Sequence, residues 1–288
     1  VPPENVLIEP VGRNTAPCIG LAALEIDRRS PGAVMAVLPA DHLIRDEAGF
    51  RRILAAAARV AARETALVTI GIAPTGPETG YGYLENGDLA LTIDGESVYR
   101  VRSIREKPDR ALAENFLRRG RFSWNSGMFV WQTPVILDQI AIHLPDLHRA
   151  LLDIDAAWGT PQRDAVLRET YAAMTSVSID YGVMEKAENV LLFRGDFGWS
   201  DVGSWDALWE VSPKDASGNA VRDDAHFVGV AARNSLVYSP KKLVALVDVE
   251  DLIVVETDDA LLVCRRGSSQ DVKRVVDLLA EGAGKAYL

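Results

Sequence analysis

One short stretch constrains this chain more than any other. From Val34 to Leu38 the residues are apolar, Pro39 stops the run, and Asp41 follows two residues later. An apolar run of this length bounded by proline reads as a buried strand. In open α/β sheets ligands bind outside the carboxyl ends of the strands. The run therefore delivers a carboxylate to the rim where chemistry is usually done. The other reading, an aspartate that only caps the next helix, stays open on this stretch alone.

The neighbouring segments fit such a sheet. Glu47 to Glu64 is alanine-rich with apolar residues at helical spacing, and Leu67 to Ile72 is a second buried strand. This β-α-β alternation predicts a parallel sheet covered by helices. Upstream, Val6 to Glu9 is a strand-like run, and Pro10 to Pro17 is a loop rich in turn residues. A helix follows, with Thr15 as N-cap, Pro17 early and Ile19, Leu21, Ala22, Leu24 and Ile26 on its apolar side. Its free N–H groups offer a place for an anion or a nucleotide edge, or simply begin a capped helix.

Downstream, Pro74 to Tyr83 is glycine-rich but lacks both the Gly-Lys-Ser/Thr ending and the G-x-G-x-x-G pattern of phosphate loops. Gly82 allows close backbone approach to a ligand, or a plain hairpin turn. Val98 to Arg105 ends in Glu106-Lys107-Pro108, a pair able to accept from sugar hydroxyls and to meet a phosphate, or merely to be solvated. Arg110 to Arg119 is a short helix. Phe122 to Trp131 is aromatic and carries Asn125. Three helices span Pro134 to Met174, with breaks at Leu144-Pro145 and Gly159-Thr160-Pro161. Ser178 to Glu185 reads as a capped helix start, and Val190 to Phe193 as a strand. That strand leads into a Gly/Trp-rich turn holding Asp201. Two carboxylates after two strands, Asp41 and Asp201, suit Mg²⁺, which takes few protein ligands plus water and substrate phosphates. From Ser217 the chain becomes short valine-rich strands closed by a helix from Ser269 to Leu279. The expected domains are residues 1–216 and 217–288.

Charge excludes some functions. The net charge is −10 with no basic block, which argues against nucleic acid and anionic membranes as partners. No apolar run reaches membrane-spanning length. Cys18 and Cys264 sit in no metal spacing, and a reduced, cytoplasmic setting is expected.

Taken in order, Glu9-Pro10-Val11-Gly12-Arg13-Asn14-Thr15-Ala16-Pro17, Pro39-Ala40-Asp41-His42, Gly80-Tyr81-Gly82-Tyr83, Glu106-Lys107-Pro108, Trp124-Asn125-Ser126-Gly127 and Trp199-Ser200-Asp201-Val202-Gly203 resemble the mannose-1-phosphate guanylyltransferases. Each motif alone is weak; six in order from Glu9 to Gly203 are specific. The Ser178–Glu185 segment and the β tail with Gln270-Asp271-Val272-Lys273 are similar to the same family. The resemblance implies a Rossmann-like α/β nucleotidyltransferase sheet with flanking helices, then a small, mostly β module like a left-handed β-helix. It implies GTP plus mannose 1-phosphate giving GDP-mannose and pyrophosphate with Mg²⁺. By the same resemblance Asp41 and Asp201 hold the metal, and Lys107 neutralises phosphate charge. Arg13, Asn14 and Thr15 line the base pocket, Gly82 lets backbone approach the sugar, and Glu106 and Asn125 meet the mannose hydroxyls. The family's opening strand and its Gly-x-Gly-x-Arg…Pro-Lys loop lie before the first residue here, so impaired turnover is expected. A non-catalytic nucleotide-sugar-binding paralogue, or the same reaction on another sugar phosphate or nucleotide, are the competing readings. A homodimer through the β tail is a further expectation.

Overall fold

The computed structural model describes residues 1–222 and 225–287. The chain divides into two compact units, Val1–Ala40 with Ile44–Gly198, and Asp41–Leu43 with Trp199–Leu288.

The first unit is built on a twisted sheet. In chain order its elements begin with α1 (Thr15–Arg29) and β1 (Val34–Val37). After the two-residue strand β2 (Leu43–Ile44), which falls at the boundary of the units and outside this sheet, come α2 (Glu47–Ala61) and β3 (Leu67–Ile72). The long strands β4 (Gly82–Ile93) and β5 (Glu96–Arg105) precede α3 (Arg110–Arg119) and β6 (Phe122–Gln132). Helices α4 (Thr133–His143), α5 (Pro145–Ala157) and α6 (Arg163–Ala173) lead to a π-helical turn (Asp180–Met184) and β7 (Val190–Gly195). The three helices and both breaks between them fall where the sequence placed them.

The sheet is mixed rather than parallel, in the order β1-β6-β3-β7-β5-β4, with β6 also touching β4. Only β3 and β7 run parallel. The β-α-β reading was right about direction and wrong about neighbours. Strands β1 and β3 are both antiparallel to β6, so they point the same way, but the later strand β6 is inserted between them. β1 is an edge strand with only Met35 buried, not the buried strand its apolar run suggested. Val6 to Glu9 forms no strand; Val6 and Ile8 stand exposed. The 82–93 strand was missed, although Asp94 and Gly95, both at positive φ, join it to β5. Asp-Gly is among the strongest short hairpin signals, because both turn residues need φ above zero.

Apolar periodicity places the helices. Ile19 and Leu21 of α1, Ile136 and Ile140 of α4, and Leu151 of α5 share one core with Met35, Leu67, Phe129 and Trp131 of the sheet. Helix α2 buries Ile53, Ala56, Ala57 and Val60, which lie outside that cluster. Its N-cap is Asp46, whose carboxylate accepts from the Gly49 N–H at 2.9 Å. On α1 the cap is Asn14, not Thr15. Asn14 sits at φ 67° and accepts from the Thr15 N–H, a backbone region asparagine tolerates better than threonine. The Thr15 hydroxyl is spent instead on the Ile179 N–H, at 2.8 Å.

The second unit holds β8 (Trp199–Ser200), α7 (Trp205–Val211) and six short strands. These are β9 (Ala220–Arg222), β10 (Phe227–Val230), β11 (Leu236–Tyr238), β12 (Val244–Val247), β13 (Leu252–Glu256) and β14 (Leu261–Arg265), followed by α8 (Val272–Glu281). Strands β9, β11 and β13 stack in parallel, β10 and β12 stack in parallel on another face, and Arg233 bridges Glu250 in parallel on a third. This is the winding of a β-helix, each coil laid on the one before. Ala231 and Asp248, like Asn234 and Asp251, turn matching corners at positive φ. Ala220, Leu236, Ile253 and Val255 fill the coil, with Trp205, Leu208 and Trp209 against them. β14 pairs antiparallel with β13 and ends the stack. Every strand the sequence suggested here is present.

Candidate active site

Two groups of polar side chains carry chemical potential, one in each unit.

The first group forms where β4, β5 and β6 meet the π-helical turn. Asn125 lies opposite both Gly71 and Gly82. The register of β6 against β3 shifts between Thr69 and Gly71, and Gly127 sits at φ 69° beside the shift. Such bulges re-aim a side chain. The Asn125 amide donates to Asp180 Oδ1 at 2.7 Å, and its oxygen accepts from the Gly127 N–H at 3.2 Å. Glu106 stands at the end of β5; its N–H donates to Glu185 Oε1 at 3.0 Å. Gly82 packs so closely that a Cβ there would collide with the Glu106 carboxylate and lie 3.2 Å from Asn125 Cβ. Lys107 follows at φ 45°, its N–H donating to the Tyr81 carbonyl. Backbone strain of this kind clusters at functional positions. Upstream, the Tyr83 hydroxyl donates to the Glu78 carbonyl at 2.9 Å, and Tyr81 meets Trp124 edge-on at 5.1 Å, so the glycine-rich loop is held at both ends.

Burial dominates the electrostatics of this group. Glu106 is pushed up to about 7, first by desolvation and then by the charge of Asp180, with Lys107 pulling the other way. Asp180 is also raised, chiefly by burial, and its bond from Asn125 opposes the rise. Near neutral pH the group thus carries a carboxyl that can hold or release a proton, beside an ammonium.

The second group gathers around His42. The indole N–H of Trp199 donates to His42 Nδ1 at 3.0 Å, and the two rings meet edge-on at 5.4 Å. With Nδ1 accepting, the neutral ring carries its proton on Nε2, which lies 4.0 Å from Asp41 Oδ1. Desolvation lowers the His42 pKa, while the charges of both Asp41 and Asp201 oppose that change. Both carboxylates therefore act on the same imidazole, within one compact unit. The Asp41 side chain is 88% exposed and open to a ligand. Asp201 is held by a tight turn: its Oδ1 accepts from the Gly203 N–H at 3.0 Å, Val202 sits at φ 49°, and a Cβ on Gly203 would come 2.5 Å from Oδ2. Ser204 then caps α7.

Among the described residues no set of three or more His, Cys, Asp or Glu side chains is arranged to hold a metal ion. Asp41 and Asp201 offer two carboxylates on one compact unit. Oxygen donors in that number fit a hard divalent cation that completes its shell with water and phosphate oxygens.

Arg13, Asn14 and Thr15 have local partners. The Arg13 guanidinium donates to the carbonyls of Tyr171 and Ala172 at the end of α6. Asn14 caps α1, and Thr15 ties that helix start to Ile179. His42, Asp180 and Glu185 were not singled out from the sequence. His42 is adjacent to a named aspartate, and Asp180 and Glu185 lie in the segment read as a capped helix start; only the folded contacts give them neighbours.

A mixed sheet of this topology, with carboxylates at strand ends and a lysine beside a buried glutamate, is the framework of a nucleotidyl-transferring protein. The chain belongs to the nucleotidyl transferase family, whose pattern matches residues 3–218; a MannoseP isomerase/GMP-like beta-helix domain matches residues 225–279. Over 285 residues it is 42% identical to a mannose-1-phosphate guanylyltransferase of Klebsiella pneumoniae, covering 99% of this chain and 60% of the relative. It is 41% identical over 290 residues to the xanthan biosynthesis protein XanB of Xanthomonas campestris pv. campestris strain B100, covering 99% of this chain and 59% of that protein. A solved structure described as a mannose-1-phosphate geranyltransferase from Thermus thermophilus superposes with a TM-score of 0.81 at 35% identity, covering 95% of this chain and 77% of that one. The chain thus spans about 60% of the length of the curated relatives it matches. Nucleotidyl transferases generally work with a divalent metal ion.

Proposed function

We propose that the chain carries the guanylyl-transfer machinery for GTP and mannose 1-phosphate, giving GDP-mannose and pyrophosphate. The observation that supports the reaction is the setting of His42, with Asp41 Oδ1 4.0 Å from its Nε2, and the Trp199 indole on its Nδ1 two residues before the turn that holds Asp201. The substrates are suggested by the relatives named mannose-1-phosphate guanylyltransferase, such as that of Klebsiella pneumoniae. An oxygen of the sugar phosphate attacks the α-phosphorus, a new P–O bond forms, and the bond to the β-phosphate breaks to release pyrophosphate. No protein nucleophile is needed, so the side chains act by positioning and by neutralising charge. Asp41 and Asp201 would hold Mg²⁺, which when bound supplies positive charge to the phosphates. Lys107 adds a second cation. Glu106 and Asn125 accept from and donate to mannose hydroxyls, and Gly82, whose missing side chain leaves space for the Glu106 carboxylate, lets backbone approach the sugar. Arg13, Asn14 and Thr15 set the edge that meets the base, through the exposed start of α1.

The proposal includes a cytoplasmic setting, supported by the free thiols of Cys18 and Cys264, and by no described helix being long and apolar enough to cross a membrane. It also includes pairing of two copies through the β tail, where Val228, Val230, Val247, Leu261 and Val263 stand exposed; light scattering that gives a monomer mass at 50 µM, roughly fifty times a micromolar dissociation constant, would remove that part.

The test of the reaction is pyrophosphate release with Mg²⁺, GTP and mannose 1-phosphate. Turnover that requires all three supports the proposal. Binding of GDP-mannose without turnover would favour a nucleotide-sugar-binding protein instead. Turnover with a different sugar phosphate or nucleotide, and none with these, would keep the chemistry and replace the substrates.

A further inference from the structure

Asp180 lies in the π-helical turn at the edge of the first polar group, and it touches Asn125 rather than open solvent. We propose that Asp180 is a positioning residue for the hydroxyl-binding edge of this site, acting through the Asn125 amide and the Glu106 carboxyl. The inference deepens the mannose reading and rests on it.

The geometry leaves Asn125 little choice. An amide has two N–H donors and one acceptor oxygen, and either end could face a ligand. Here one N–H goes to Asp180 Oδ1 at 2.7 Å, and the oxygen takes the Gly127 N–H at 3.2 Å. A carboxylate cannot donate, so an ionised Asp180 accepts only the nitrogen end. The amide is thereby fixed in one of its two orientations, and a second N–H remains for a hydroxyl. Asp180 is itself anchored from the far side. The Thr15 hydroxyl accepts from the neighbouring Ile179 N–H, and the Ala16 N–H donates to the Val177 carbonyl. The start of α1 therefore braces the turn that aims Asn125.

The second arm is electrostatic. Asp180, Glu185 and Lys107 are the charged groups that bear on Glu106, and Tyr181 feels the same carboxylates together with Arg105. Gly82 and Asn125 close the remaining side without charge. Asp180 is the leading charge that raises Glu106, after burial. Ionised, Glu106 accepts from two hydroxyls; protonated, it loses one acceptor. A ligand that needs both acceptor positions binds better as pH rises through about 7.

The experiment measures binding of GDP-mannose by calorimetry from pH 5 to 9, a window whose ends lie about two units from the Glu106 midpoint. This ligand has no group titrating near neutrality, unlike a phosphate monoester. In the unmodified chain the affinity rises through a midpoint near that of Glu106. Asp180→Asn keeps a group that can accept from Asn125 but removes the charge, so the midpoint moves to lower pH by about half a unit or more while high-pH affinity stays within about threefold. Asp180→Ala removes the charge and also frees the amide, so it moves the midpoint in the same direction and weakens GDP-mannose about tenfold at pH 9. A midpoint unmoved in Asp180→Asn overturns the proposal, as does unchanged affinity in Asp180→Ala. The carboxyl band of Glu106, assigned by infrared difference against Glu106→Gln in the ligand-free chain, separates the two ideas. If that band shifts in Asp180→Asn but GDP-mannose does not bind, the coupling stands and the mannose reading, with the ligand named here, falls.

Discussion

The carboxylates beside Asn125 and those beside His42 have opposite surroundings. Asp180 and Glu106 are desolvated, and both are held above the usual carboxylate range. Asp41 stands open to solvent, and Asp201 is bound by a backbone N–H in a tight turn. A desolvated carboxyl such as Glu106, pushed up to about 7, can trade a proton near neutrality and discriminate hydroxyls. Carboxylates left within reach of solvent can gather a cation and phosphates. On the proposed function, burial divides the same side-chain chemistry between two tasks, and the comparison can be broken from either side.

The largest effect belongs to the pair beside His42. Asp201→Asn keeps the turn, since the amide oxygen still accepts from Gly203, but it halves the charge offered to a metal. Turnover should fall about 10³-fold, the scale on which removal of a single charge-stabilising group acts, with an unchanged melting temperature. A rate within threefold of the unmodified chain, on the order of 0.6 kcal/mol, would remove the metal role from this residue. Next comes Lys107→Gln. It deletes the ammonium beside Glu106 and should lower kcat/KM about 10²-fold, measured with saturating Mg²⁺ so that loss of metal affinity cannot mimic it.

How much of this was legible depended on range. Helices with clear apolar periodicity and strands in the β tail were readable because their patterns are local. The place of β6 in the sheet was not, because it comes later in the chain yet inserts between β1 and β3. The same limit governs the sites. Asp41, Asp201, Glu106 and Asn125 sit in short motifs, so they could be named. Asp180 and His42 gain meaning only from partners 55 and 157 residues away. Asn14 was missed as a cap because its left-handed backbone is a conformational choice, not a composition.

The buried side of the comparison gives a stability prediction. The Glu106 pKa is higher folded than unfolded, so between roughly pH 4.5 and 7 the folded chain binds more protons than the unfolded one. Stability contributed by this group therefore falls as pH rises through that window. Glu106→Gln removes the ionisation. It should stabilise the chain at pH 8 by on the order of 1–2 kcal/mol, discounted for partial solvent contact, and change little at pH 5. Urea midpoints at the two pH values check it. Equal effects at both would mean that burial does not hold this carboxyl as described.

The smallest effect tests whether the exposed side has its own hidden support. Trp199→Phe keeps an aromatic edge against His42 but removes the donor to Nδ1. A mostly buried acceptor is then left without a partner, at about 1 kcal/mol. The free imidazole can also take its proton on Nδ1, turning a lone pair on Nε2 toward Asp41. That change acts on one member of the carboxylate pair and not on Glu106. The Mg²⁺ concentration for half-maximal rate should therefore shift by a few-fold, while the pH midpoint of GDP-mannose binding stays fixed. If the midpoint moved and the Mg²⁺ requirement did not, the division between a cation-gathering pair and a proton-holding Glu106 would be drawn through the wrong residues.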